Sequence, residues 1–245
     1  MNTERRVFLW TRVAALADGT PITVGHVSRV AASVAGTDSV ALVLWLTSTP
    51  REMLFASDTL ASAVEEMALT VGEGPCADAC AGSLVLVPDL ATAEYAARWP
   101  VFTPAAVAAG VRAVFSLPLR IGGIRLGSMN LYRQQPGGLA GEQLSDALAL
   151  ADAACLLLLD SAKAVPGGPE LPGDPPRPWD GPRHPEVHQA TGMITVQLGV
   201  TAAVAFARLR AYAFAHDRRL RDVARDVVNR RLRFDAGTGG NPDDN

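Results

Sequence analysis

Lysine is nearly absent from this sequence. Lys163 is the only one among 22 basic residues, the rest being arginine. With the abundant alanine, this reads as GC-rich codon usage and not as a functional signal. Cysteine is scarce too: Cys76, Cys80 and Cys155 form an odd, sparse set that builds no disulfide framework. No uncharged apolar stretch reaches about 18 residues, which argues against a membrane span and a membrane partner. The start, Met1-Asn2-Thr3-Glu4-Arg5-Arg6, is charged and lacks the apolar core and cleavage site of a secretion signal, so a cytoplasmic location is expected.

Catalytic and metal-binding patterns are missing as well. His184 and His188 bracket Glu186, but the order is not His-Glu-x-x-His. Pro185 biases His184 out of a helix and no third ligand is evident, so no metal is expected. Gly72-Glu73-Gly74-Pro75 and Gly122-Gly123 read as turns, because neither has the strand-to-helix setting and trailing Lys-Ser/Thr of a phosphate loop. No Ser/His/Asp set or carboxylate pair stands out. The expectation is no catalytic residue, no cofactor and no enzyme activity.

What is present is enough apolar residue, 49% of 245, to pack two modest domains. The net charge of -3 conceals an asymmetry: between Gly181 and Phe234 there are ten Arg/Lys against four Asp/Glu, and the remainder is acidic. A compact basic module on an acidic protein is the footprint of a polyanion partner; a solvated helix surface is the plain alternative. Residues 164–182 hold seven prolines and four glycines, which remove backbone donors and add backbone entropy. They read as a linker. It separates a unit at 20–163 from a short one at 183–234, and a Gly/Asp/Asn-rich tail at 235–245 reads as disordered.

The first unit alternates helical and strand patterns. Ile22 to Val34, Leu60 to Leu69 and Glu142 to Lys163 read as helices. Ser39 to Thr47 pairs with Arg51 to Ser57, Ser83 to Val87 is a short strand, and Val111 to Leu119 with Arg125 to Tyr132 flank a hairpin at Gly122-Gly123. That order suits an α+β fold, an antiparallel sheet with helices packed on it. The second unit shows three amphipathic patterns. Val187, Ala190, Ile194 and Leu198 form one face and Gly199 ends that helix. Thr201 caps the next, with Ala202, Ala205, Phe206, Leu209 and Tyr212 inward. Leu220, Val223, Ala224, Val227 and Val228 form the third face. Together they make a C-terminal three-helix bundle.

The residues His188-Gln-Ala-Thr-Gly-Met-Ile194, Leu198-Gly-Val-Thr201, Ala205 through Leu209-Arg-Ala-Tyr212 and Leu220-Arg-Asp-Val-Ala-Arg-Asp-Val-Val228 resemble the ANTAR domain. The resemblance implies binding of paired hairpin RNA in leader transcripts, which prevents transcription termination. The family often has lysine where Thr191 stands, so one phosphate contact is absent here. The first unit resembles a GAF domain, a small-molecule sensor fold. The carrying residues are Val71-Gly-Glu-Gly-Pro-Cys76, Val87-Pro-Asp-Leu90, Trp99, Gly110 to Leu119, and Gly127. The cyclic-nucleotide signature of some GAF domains is absent, as is a tetrapyrrole-attachment cysteine with flanking histidine. The resemblance thus implies a GAF-like sensor unit and an unknown small-molecule effector.

The expected RNA-binding residues are Gln189, Ala190, Thr191 and Gly192 of the first-helix motif, with Arg208, Arg210, Tyr212, Arg218, Arg219 and Arg221. Gly192 lies mid-helix, where glycine costs about 1 kcal/mol relative to alanine; close helix packing or close approach of RNA would explain it. Guanidinium forks suit phosphates and unpaired bases, and Arg210, Arg218, Arg219 and Arg221 cluster near the second inter-helix turn. Tyr212 and His216 suit base stacking, with core packing as the alternative for Tyr212. In the long helix, Leu144, Leu148, Ala151, Cys155, Leu158 and Ala162 form a short heptad seam, which either packs on the sheet or pairs two chains into a homodimer. The resulting expectation is an RNA-binding antitermination regulator controlled by a small-molecule-sensing GAF unit. The alternatives are a thiol-dependent GAF-fold redox enzyme using Cys76 and Cys80, and a DNA-binding or protein-interaction regulator.

Overall fold

The structure, a computed structural model, describes residues 3–45, 51–162 and 185–235. It holds two compact units, the first made of most of residues 3–162 and the second of residues 185–235. The expected linker at 164–182, and the tail beyond Asp235, lie outside the described residues.

The first unit begins with α1 (Thr3–Ala17) and α2 (Val24–Ala35). Thr23 and His26 close a capping box at the start of α2, each side chain bonding the other's backbone N–H, and Gly36 ends the helix in the left-handed region. Then follow β1 (Ser39–Leu44), β2 (Glu52–Ala56), α3 (Thr59–Val71), α4 (Pro75–Cys80), β3 (Val85–Val87), α5 (Ala93–Arg98), α6 (Phe102–Ala108), β4 (Ala113–Ile121), β5 (Ile124–Arg133) and α7 (Gly141–Ala162). The strands form one antiparallel sheet in the order β2-β1-β5-β4-β3. Gly122 and Gly123 make the β4–β5 turn as expected. Gly127 is required at its place: a Cβ there would lie 1.8 Å from the Val43 carbonyl oxygen on β1. The unit is an α+β fold, an antiparallel sheet with helices packed on it.

Strand alternation gives the sheet two unlike faces. Leu42, Phe115, Leu117, Met129 and Leu131 lie in the main apolar core with α2 and α7. Their neighbours Ser128, Asn130 and Tyr132 point the other way, with Ser116 directly opposite Asn130, and carry polar groups toward α3 and α4. The heptad seam of α7 is spent inside this unit. Ala151, Cys155 and Leu158 are buried in the core and Leu144 and Leu148 pack against it, so the seam is not a free dimer surface. Ala162 belongs to α7, but its side chain is not described. The unit also reaches further back than residue 20: Leu9, Val13 and Ala17 of α1 are buried, and Arg5 pairs with the buried Asp146 of α7.

The second unit is a bundle of α8 (Pro185–Leu198), α9 (Ala202–Ala215) and α10 (Leu220–Val228). Its core is Val187, Ala190 and Ile194 from α8, Ala205, Leu209 and Ala213 from α9, and Leu220, Val223, Ala224 and Val227 from α10. Ala202, expected inward, sits in the first turn and is exposed. Thr201 caps α9 by accepting the Val204 N–H. Each helix is followed by a residue in the left-handed region: Gly199, Asp217 and Arg230. No single helix among the described residues is long and apolar enough to cross a membrane.

Candidate functional site

A helix advances 100° per residue, so the four adjacent motif residues of α8 cannot share one face. Gln189 and Gly192 are exposed. Ala190 is fully buried and Thr191 is 4% exposed. The Thr191 hydroxyl donates to the Val187 carbonyl at 2.7 Å within the same helix. The side chains of Ala190 and Thr191 therefore face the bundle core, while Gln189 and Gly192 face outward. Gly192 is explained differently from packing: a Cβ placed there meets nothing within 4 Å. The helix presents bare backbone to solvent at that point, between Gln189 and Val196, which is 84% exposed.

The arginines divide by what already holds them. Arg218 donates to Asp226 at 2.6 Å across the start of α10. Arg221 is half-buried, its Nε 3.9 Å from the Asp222 carboxylate. Arg225 bridges Glu186 of α8 at 3.7 Å and Asp222 at 3.5 Å. Arg210 is half-buried, with its guanidinium 5.9 Å from the Phe206 ring centroid. Arg208, Arg219, Arg230 and Arg231 are exposed and have no ion pair among the described residues. The expected cluster of Arg210, Arg218, Arg219 and Arg221 thus contains one cation of the unengaged kind, Arg219. Arg208 is another, and so are Arg230 and Arg231.

Tyr212 both packs and stacks. It is half-buried, lies 3.9 Å from His216 with ring planes 17° apart, and meets Phe234 edge-on at 5.6 Å. His216 is exposed, and its Nδ1 donates to the Tyr212 carbonyl at 2.8 Å.

The polar face of the first unit's sheet is the other chemically distinct place. Glu65 of α3, only 5% exposed, accepts from Asn130 Nδ2 and Tyr132 Oη, each at 2.5 Å. Burial pushes the Glu65 carboxyl above its ordinary value, against the lowering effect of the Tyr132 bond and the nearby Arg51. The Arg51 guanidinium reaches Cys76 Sγ at 3.4 Å, and Cys80 Sγ lies 3.4 Å from the Ser128 hydroxyl. The Ser116 hydroxyl and Asn130 Oδ1 are buried with no hydrogen-bond partner among the described residues. None of these polar residues was singled out from sequence apart from the cysteines. The signal lay in the alternation Ser128, Asn130, Tyr132 against Met129 and Leu131. Both thiols of α4 are buried and free. Burial holds Cys76 well above its usual value and Cys80 at about 11. Thiols so placed are poor nucleophiles.

The bundle has a family: residues 183–228 match the model of the ANTAR domain, so the chain carries that domain there. No curated protein matches the sequence. Solved structures similar to the chain include the GAF domain of the Acinetobacter phosphoenolpyruvate-protein phosphotransferase, at 10% identity and TM-score 0.49 over 69% of this chain and 100% of that one. The chromophore-binding domain of a bacteriophytochrome from R. palustris is similar at 12% identity and TM-score 0.44, over 67% of this chain and 64% of that one. The chromophore-binding domain of Stigmatella aurantiaca phytochrome P1 is similar at 12% identity and TM-score 0.46, over 64% and 60%.

Proposed function

We propose that this chain is an RNA-binding transcription antitermination regulator of the cytoplasm, controlled by a small-molecule effector taken up by its GAF-like unit. The observation that carries the reading is the ANTAR match at 183–228, together with the exposed, uncovered backbone at Gly192 within that match. Gly192 lets a phosphate backbone approach α8 closely, Gln189 beside it offers an amide, and Arg208 and Arg219 supply charge without breaking internal pairs. With residues 164–182 as a linker, the sensing role falls to the stretch before it, α1 included, and the RNA-binding role to 183–234. A two-hairpin RNA and a homodimer fit the same reading, the dimer forming through a surface other than the buried α7 seam.

In the first unit the polar sheet face suits an effector rich in hydrogen-bond donors, which Asn130 Oδ1 and the Glu65 carboxylate accept. Effector binding shifts RNA affinity only by its differential affinity for the two states. The protein acts by binding, since the raised, buried thiols speak against a thiol-dependent enzyme. Sequencing of cellular RNA retained by the intact protein tests the reading. Enrichment of transcripts with two adjacent hairpins is expected, and retention no better than a protein without affinity for RNA would refute it.

A further inference from the structure

The ANTAR match ends at Val228, and the described residues continue to Asp235. Beyond α10 the chain reverses: Arg231 and Leu232 both donate their N–H groups to the Asp226 carbonyl, at 2.8 and 3.1 Å, and Arg230 holds a φ of 60°. The returning segment is pinned at Phe234, whose N–H donates to Gln197 Oε1 at 3.1 Å and whose ring meets Tyr212 edge-on. Tyr212 in turn carries His216 stacked upon it. His216 is exposed although one ring face is stacked on Tyr212, and the bond to the Tyr212 carbonyl fixes its plane.

We propose that His216, stacked on Tyr212, is a platform for one unpaired RNA base, and that Arg230 and Arg231, outside the matched domain, hold the phosphates beside it. This rests on the RNA-binding reading above and adds a site to it. A planar face extending an existing aromatic stack is what an unpaired base takes, whatever its identity. Arg230 and Arg231 are exposed and have no ion pair among the described residues. A left-handed backbone is easier for glycine than for arginine, so the turn alone does not account for the side chain at 230.

The test uses the intact protein and an RNA selected by it from a two-hairpin pool with randomised loops. Each unpaired base of that RNA is replaced in turn by the fluorescent base 2-aminopurine. Stacking is expected to quench one position, and His216→Ala to restore its emission and weaken binding on the order of tenfold. His216→Phe should keep the quench. Arg230→Gly relaxes the turn, so the bundle's melting midpoint should hold or rise while the slope of log affinity against log salt flattens by about 0.7. If the RNA binds but no position is quenched, or the quench survives His216→Ala, the platform is wrong and the RNA-binding reading stands. If no RNA is selected, both fall.

Discussion

Gly192 and Glu65 are the two residues whose surroundings say most about what they do. With open space where its side chain would be, Gly192 gives nothing to packing. Gly192→Gln is therefore expected to stabilise α8 by up to about 1 kcal/mol while lowering RNA affinity. Circular dichroism melting and gel shift on the same variant check both halves, and a variant that melts lower would restore a packing role. The motif around Gly192 was legible as a string of letters, but its outward residues were not. Helix phase, set by the buried Val187 and Ile194, decides that Ala190 and Thr191 point inward.

Glu65 carries a pH prediction. Its carboxyl is raised in the folded state by burial. A raised group stabilises fully below its unfolded pKa, and that contribution is lost as pH rises through the folded value. Glu65→Gln keeps the Oε1 acceptor for Tyr132 and Asn130 and removes the charge. The variant should gain more in melting midpoint over the parent at pH 8 than at pH 5, at about 2–4 °C per kcal/mol. An equal difference at both pH values would mean that Glu65 is not held in this buried state.

Among the elements, α7 is the one whose pattern left two uses open, and packing decided between them. A four-and-three repeat suits a coiled coil and a helix lying on a sheet equally well, and the apolar sheet face supplies the partner here. Leu158→Ala should therefore cost the first unit about 2–5 kcal/mol in denaturant unfolding and leave the mass seen by light scattering unchanged. Dissociation of an oligomer with little loss of stability would return α7 to an interface. The longer helices from α2 onward and the β4–β5 hairpin were readable because their periods run over many residues and Gly122-Gly123 marks the turn. Four helices were not: α1, which precedes the expected start of the unit at residue 20, and α4, α5 and α6. The last three span only six or seven residues, too short for a period to show, and none has a side-chain cap bond. Gly199 was readable as a helix stop, whereas the same left-handed role at Asp217 and Arg230 falls to residues that carry no such signal.

At the scale of the whole molecule, charge and sequence order divide the work. The basic stretch from Gly181 to Phe234 contains the ANTAR match, and the acidic remainder contains the sheet with its buried polar face. Several arginines of the basic stretch are already paired to Asp226, Asp222 and Glu186. The positive charge left free of internal pairs is therefore smaller than the residue count implies. The most direct measurement is a gel-shift titration of the intact protein against a selected two-hairpin RNA and a duplex DNA of equal length, at several salt concentrations. Binding should favour the RNA, with log affinity falling linearly against log salt at about 0.7–0.9 per phosphate contact, and Gly192→Gln should weaken it at every salt. Equal or tighter binding to the DNA, or an RNA affinity indifferent to both salt and Gly192, would contradict the account.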